Sequence, residues 1–285
     1  MILVVGGRSK IGSALIDDLV AKGESVRALL RSSEGTLSLP AGVEGVTGDL
    51  ADTDSLRAAT DRAEKLFLLC GPTEQEVQLN RNAIDVARQA GVGLLVRSSI
   101  LGSNPSSEAT FVRDHGECDA YLKDSGVPHV FVRPNLFMQN IPESTVPSID
   151  AEGNFYANAG DARLSIVDTR DVGAVAAAVL TSPGHEGKAY DVTGPEALSY
   201  QDVATKLSAA LGRKITYIAA PDDAVRAALD GLGLPPWLAG SLVDLYQDYR
   251  RSGTGGYAAH VTDTVQQLTG RPPRTLDQLL VESQS

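Results

Sequence analysis

The sequence predicts an α/β fold, a doubly wound parallel sheet with a small, mostly C-terminal lobe, and three observations carry that expectation. Short β-rich runs alternate with helical patterns, a glycine-rich turn joins the first run to the first helical pattern, and the alternation lapses in two defined stretches. The runs are ILVV (2–5), SVRALL (25–30), VEGV (43–46), KLFLLC (65–70), GLLVRS (93–98), HVFVR (129–133) and AYDVT (189–193). Between the first two, IGSALIDDLVAKG sets Ile11, Leu15 and Leu19 on one helical stripe and stops at Gly23. EQEVQLNRNAIDVARQAG ends at Gly91 before the fifth run, and TRDVGAVAAAVLTS precedes the seventh. Periodicity lapses at 134–164 and again after about 213, where DDAVRAALDGLG, PPWLAGSLVDLYQDYRR and the bend SGTGGY (252–257) follow. The expected division is therefore a nucleotide-type core over 1–133 completed by 165–212, with a substrate lobe from 134–164 and 213–285.

Composition narrows the class. With 285 residues, 42% of them hydrophobic and no apolar run near the roughly 18 residues of a membrane span, the chain reads as globular with no membrane role. It runs straight into a strand without a signal-peptide pattern, so a cytoplasmic location is expected. A net charge of −11 and no basic cluster interleaved with aromatics argue against nucleic acid. Cys70 and Cys118 have no close Cys or His companions, which predicts ordinary reduced side chains and no metal site.

The turn GGRSKIG spans Gly6, Gly7, Arg8, Ser9, Lys10, Ile11 and Gly12. A dinucleotide-binding turn needs a strand, a sharp bend, backbone N–H groups near the pyrophosphate and a helix N-terminus facing it. Ser9 stands where a glycine is common, yet it is small enough to allow that approach. Alone the motif is weak; opening a βα series, it is strong. About 20 residues further on, an NAD-preferring site offers an acid to the ribose diol. Here Leu30 is followed by Arg31, Ser32 and Ser33. A guanidinium fork with adjacent hydroxyls suits a 2′-phosphate, which favours NADP(H) over NAD(H); the plainer reading of Arg31 is a solvated strand end.

With GGRSKIG, VRALLRSS, GDLADTDSL, LFLLCGPT, VRPNLFMQN and DVTGPEALS in order, the chain resembles the NmrA-like branch of the atypical short-chain dehydrogenase/reductases from residue 1 to about 215. The resemblance implies a Rossmann-type domain, NAD(P)(H) binding and, in many bacterial members, reduction of quinones, azo compounds or related conjugated acceptors. Other members sense the cofactor and catalyse nothing. It further implies that Asp49 and Leu50 lie near adenine, that Cys70, Gly71 and Pro72 line the cofactor, and that Pro134 and Asn135 border the nicotinamide.

The chain departs from the familiar Tyr-x-x-x-Lys acid: in VRDHGECDAYLKDSG, Tyr121 is followed four positions on by Ser125. His115 and Asp119 have i, i+4 spacing, which puts carboxylate and imidazole on one helix face, able to orient the ring or raise its pKa. Three readings of His115 stand together: a contact to the nicotinamide ribose, a proton donor, or a surface histidine. Ser98 and Ser99 end the fifth strand, where one faces the nicotinamide or both cap the turn. No Gly-x-Ser-x-Gly elbow surrounds them, which disfavours a hydrolase. His129 reads as packed in its strand, and His185 and His260 as loop residues. Phe137, Met138, Phe155, Tyr156 and Trp237 offer a flat apolar substrate pocket, each with core packing as its plainer reading. The function expected is an NADPH-dependent reductase of a small conjugated or aromatic acceptor, monomeric or homodimeric. A non-catalytic NADP(H) sensor is the alternative, and a lyase or isomerase using bound cofactor comes third.

Overall fold

The computed structural model describes residues 1–31 and 39–284, so Ser32 and Ser33 lie outside the described residues. Its strands are β1 (Ile2–Val5), β2 (Val26–Leu30), β3 (Glu44–Thr47), β4 (Lys65–Leu68), β5 (Leu94–Ser98), β6 (His129–Pro134), β7 (Asn154–Ala157), β8 (Ala189–Val192) and β9 (Thr216–Ala219). Seven of them form one sheet in the order β3-β2-β1-β4-β5-β6-β8, and every ladder in it is parallel. Helices cover both faces, which is why β1, β2 and β5 are buried at every position and read as near-continuous apolar runs.

One face is closed by α1 (Lys10–Ala21) and α5 (Thr169–Thr181), whose Ile11, Leu15, Leu19, Val172 and Val175 join Val4, Val96 and Val132 in one cluster. The two helices touch where Gly173 meets Ala14: a Cβ on Gly173 would lie 2.9 Å from the Ala14 methyl. The other face carries α2 (Thr53–Thr60), α3 (Glu76–Gln89) and α4 (Thr110–Asp124), packed through Leu56, Leu79, Ala83, Ile84 and Leu122.

A third cluster lies beyond the sheet. It joins Met138, Phe155 and Leu164 to α6 (Tyr200–Leu211), α8 (Pro236–Ser252) and α10 (Leu276–Glu282). The stretch 134–164, expected to be irregular, contains β7, which pairs in parallel with β9 across the two lobe segments. Both strands are four-residue pieces, too short for a period-two signal to stand out in sequence.

The order of the sheet reverses between β1 and β4, which opens a crevice at their carboxyl ends.

Candidate active site

Into that crevice runs the glycine turn. Gly6 has φ +83°, a left-handed conformation, and a Cβ there would sit 2.8 Å from the Leu69 carbonyl oxygen. A Cβ on Gly12 would lie 2.2 Å from the Gly6 carbonyl oxygen. Both positions therefore need glycine, and α1 begins directly against the turn. Ser9 is its N-cap, with Oγ accepting the Gly12 N–H at 3.0 Å. No acidic side chain occupies the first turn of α1, so its N-terminal end suits an anion.

A cavity of about 470 Å³ opens over the turn. Val5, Gly6, Gly7, Arg8 and Ser9 form its floor; Leu29, Leu30 and Arg31 close it from β2, Gly48, Asp49 and Leu50 from β3, and Leu69, Cys70 and Gly71 from β4. It thus gathers Gly6, Gly7, Arg8, Ser9, Arg31, Asp49, Leu50, Cys70 and Gly71 of the expected cofactor residues. Val5, Leu29, Leu30, Gly48 and Leu69 were not expected; each lies within two residues of an expected position at a strand end. Volume, glycine cradle and basic Arg31 fit a dinucleotide.

Other expected cofactor residues lie off this cavity. Ile11 is buried in the core behind the turn, Pro72 is exposed, and Lys10 pairs with Glu143 of the lobe. Pro134 and Asn135 are buried at the end of β6. The Asn135 Nδ2 donates to Ser165 Oγ (3.0 Å) and the Ala258 carbonyl (2.7 Å), so that side chain ties β6 to the lobe.

The carboxyl end of β5 rests on a buried charge cluster. Arg97, 1% exposed, donates through Nη1 to Asp119 Oδ1 at 2.6 Å, through Nε to Asn80 Oδ1 at 2.9 Å, and through Nη2 to His115 Nδ1 at 3.0 Å. The Asp119 Oδ2 accepts from Ser99 (3.0 Å), Ser103 (2.8 Å) and Arg133 (2.9 Å). The i, i+4 expectation thus fails: Asp119 serves Arg97 and the serines, and the carboxylate facing the ring is Glu76, with Oε1 3.2 Å from His115 Nε2. Spacing along one helix does not reveal a competing guanidinium from a neighbouring strand.

His115 is not a surface residue, and its protonation state follows from these contacts. A guanidinium only donates, so Nδ1 is bare and the ring proton sits on Nε2. Burial, with Arg97 beside it, holds the imidazole well below the ordinary histidine range, so it is neutral. Both features count against His115 as an imidazolium proton donor. Burial pushes Glu76 up to about 7, opposed by Arg97 and reinforced by Asp114. Ser99 is committed to Asp119, while Ser98 is buried at the strand end. Arg97, Asn80 and Glu76 escaped the reading of the sequence; the available signal was a lone arginine inside an otherwise apolar strand. Burial raises both Cys70 and Cys118 to about 12, keeping them thiols.

Tyr121 is remote from this edge, its hydroxyl donating to Asp85 at 3.0 Å between α3 and α4. The expected aromatic pocket does not converge. Met138 (0% exposed) and Phe155 (1%) belong to the lobe core, correcting the assignment of Met138 to a substrate surface. Tyr156, the next residue along β7, points outward by the pleat and is 53% exposed. Phe137 packs half-buried against the sheet core, and Trp237 is half-buried on the first turn of α8.

Fold, switch-point crevice and glycine cradle together define a Rossmann-type dinucleotide-binding protein. The chain belongs to the NmrA-like family, whose model matches residues 1–268, well past the end of the motif resemblance near 215. It is 39% identical over 276 residues, 96% of this chain and 95% of the relative, to an NAD(P)H azoreductase of Xenophilus azovorans. At the same identity, over 96% of the chain and 94% of the relative, it matches a (4-alkanoyl-5-oxo-2,5-dihydrofuran-3-yl)methyl phosphate reductase of Streptomyces griseus. The NADPH complex of an Escherichia coli NADPH-dependent quinone oxidoreductase superposes with a TM-score of 0.91, at 27% identity and complete coverage of both chains.

Gly12→Val, which drives a side chain into the Gly6 carbonyl, is expected to abolish NADPH binding measured by fluorescence titration. Ser9→Gly, which loses only a cap that glycine partly replaces, changes the affinity by less than about tenfold. Undiminished binding by Gly12→Val places the dinucleotide elsewhere.

The Glu76 carboxyl binds its proton more tightly in the folded chain, about 7 against an ordinary 4.5. Its contribution therefore favours folding below that window and turns unfavourable as pH rises through about 7. Glu76→Gln removes the effect, so relative to wild type it gains stability between pH 5 and pH 8, by at most about 3 kcal/mol. His115, common to both proteins, cancels in the difference. Thermal unfolding of both at the two pH values reads it; parallel changes contradict it.

Proposed function

We propose that this NAD(P)H-dependent reductase of the atypical short-chain type uses NADPH in preference to NADH and reduces a small conjugated acceptor, such as a quinone or an azo compound. The observation that carries the acceptor class is the state of His115: a neutral ring, its Nδ1 taken by Arg97. Ser99 is held by Asp119 and Tyr121 by Asp85, so these three side chains offer no free acid to a reacting oxygen. When bound, the nicotinamide supplies the reducing equivalent. The protein's part is to hold it, orient it and exclude water. Such a site suits an acceptor whose reduced anion is delocalised and takes its proton from solvent. The names of the azoreductase and quinone oxidoreductase relatives point to the same class.

The cofactor preference rests on Arg31. It lines the cavity at the end of β2, where an acid would serve the ribose diol, and it is exposed there. A guanidinium pairing with the 2′-phosphate contributes roughly 1.5–3 kcal/mol, or one to two powers of ten in affinity.

NADPH is accordingly expected to bind about ten- to a hundredfold more tightly than NADH, and Arg31→Ala to remove most of that difference. Titration of both cofactors into both proteins, followed by NADPH oxidation with a panel of quinones and azo dyes, checks the two halves. Equal wild-type affinities end the NADPH preference; tight binding without turnover of any acceptor supports a cofactor sensor instead.

A further inference from the structure

Glu76 begins α3 five residues after Gly71, the last cavity-lining residue beyond β4. It is 3% exposed, and its Oε1 is fully buried without a hydrogen bond. His115 Nε2 lies 3.2 Å and Arg97 Nη2 3.7 Å from that oxygen. An orphaned buried carboxylate oxygen is costly and rare enough to call for a cause. Here the proton that could satisfy it is already in place, because Arg97 forces the ring hydrogen of His115 onto Nε2. A small rotation of the ring completes the bond. The first turn of α3 is tied to the same cluster a second way, through Asn80, whose Nδ2 donates to the Glu76 carbonyl and whose Oδ1 accepts from Arg97.

We propose that Glu76 is a positioning residue for the reduction: its carboxylate holds His115 turned inward on the Arg97 cluster, and its protonation loosens that hold. The inference rests on the reductase reading above and takes the reacting end of the cofactor to lie at the carboxyl edge of β5, next to the cavity.

The charged and titratable groups around Glu76 come from three elements: Arg97 from β5, Asp114, His115 and Cys118 from α4, and Cys70 from the segment after β4. Cys70 and Cys118 stay thiols and His115 stays neutral, so none of them supplies a charge change near neutrality. With Glu76 ionised, it and Asp119 both face Arg97. With Glu76 protonated, Arg97 keeps Asp119 as its ion-pair partner and the acceptor facing Nε2–H has lost its charge. An inflection of the rate near neutral pH that accompanies a change at His115 Nε2 is therefore assigned to Glu76, acting through an imidazole that does not itself titrate.

The test uses the full chain labelled with ¹⁵N at histidine, with the His115 ring signals assigned by comparison with His115→Gln. Long-range ¹H–¹⁵N spectra are followed from pH 5.5 to 9 alongside NADPH-dependent quinone reduction. In the wild type the Nε2 signal is expected to move in one step near pH 7 while Nδ1 keeps the position of a bare nitrogen. In Glu76→Gln that step vanishes, kcat falls about tenfold and loses its inflection, and NADPH affinity stays within about threefold. A merely structural role would leave the shape of the pH profile unchanged. A wild-type Nε2 signal blind to pH, or a step that persists in Glu76→Gln, overturns the assignment; the first of these needs no variant at Glu76. Absence of turnover at every pH in wild type, with NADPH bound, overturns the reductase reading on which the inference rests. Loss of the coupled step with turnover intact overturns the role of Glu76 alone.

Discussion

A backbone-to-backbone contact organises this molecule: the start of α1 presses on the turn that leaves β1, so closely that a single Cβ at Gly12 would stand 2.2 Å from the Gly6 carbonyl. Everything on that face of the sheet follows from it. With α1 seated there, Leu15 and Leu19 reach the strand side chains, and α5 packs along α1 where Gly173 meets Ala14. The same contact leaves the first N–H groups of α1 facing the crevice between β1 and β4. One steric constraint thus shapes both the core and the anion-binding end of the cavity.

The opposite face depends on a different kind of interaction. Arg97 enters the interior from β5 and is satisfied by α3 through Asn80 and by α4 through Asp119 and His115. Burying a guanidinium is tolerable because carboxylates answer it, and removing one partner would strand the rest. The consequence reaches the chemistry: the arginine that anchors the strand also decides the tautomer of His115, and burial, with that arginine beside it, keeps the ring neutral. A fold that spends its buried histidine and serine on structure leaves the reduction to cofactor placement, which suits acceptors that need no protein acid.

Much of this was legible in the sequence. Parallel strands buried on both faces leave near-continuous apolar runs, so β1, β2, β4, β5 and β6 could be read directly; the edge strands β3 and β8 are less buried and were read from shorter β-rich runs, and the strand–turn–helix context made GGRSKIG readable although Ser9 replaces a glycine. Cavity residues at the ends of β1 to β4 were legible for the same reason, since topology puts those ends together. What escaped reading were choices made between elements. Asp119 lies at the right spacing from His115, but Arg97, Ser99, Ser103 and Arg133 all compete for it. Met138 and Phe155 have the chemistry of a pocket and the surroundings of a core, and β7 with β9 is too short to announce itself.

We propose that the glycine turn receives the dinucleotide pyrophosphate. A crystal structure of the protein grown with NADPH tests it most directly. The account predicts pyrophosphate oxygens within about 3 Å of backbone N–H groups in the turn and first turn of α1, with the 2′-phosphate against Arg31. Density for the cofactor away from Gly6 to Gly12, or a pyrophosphate turned to solvent, would contradict it.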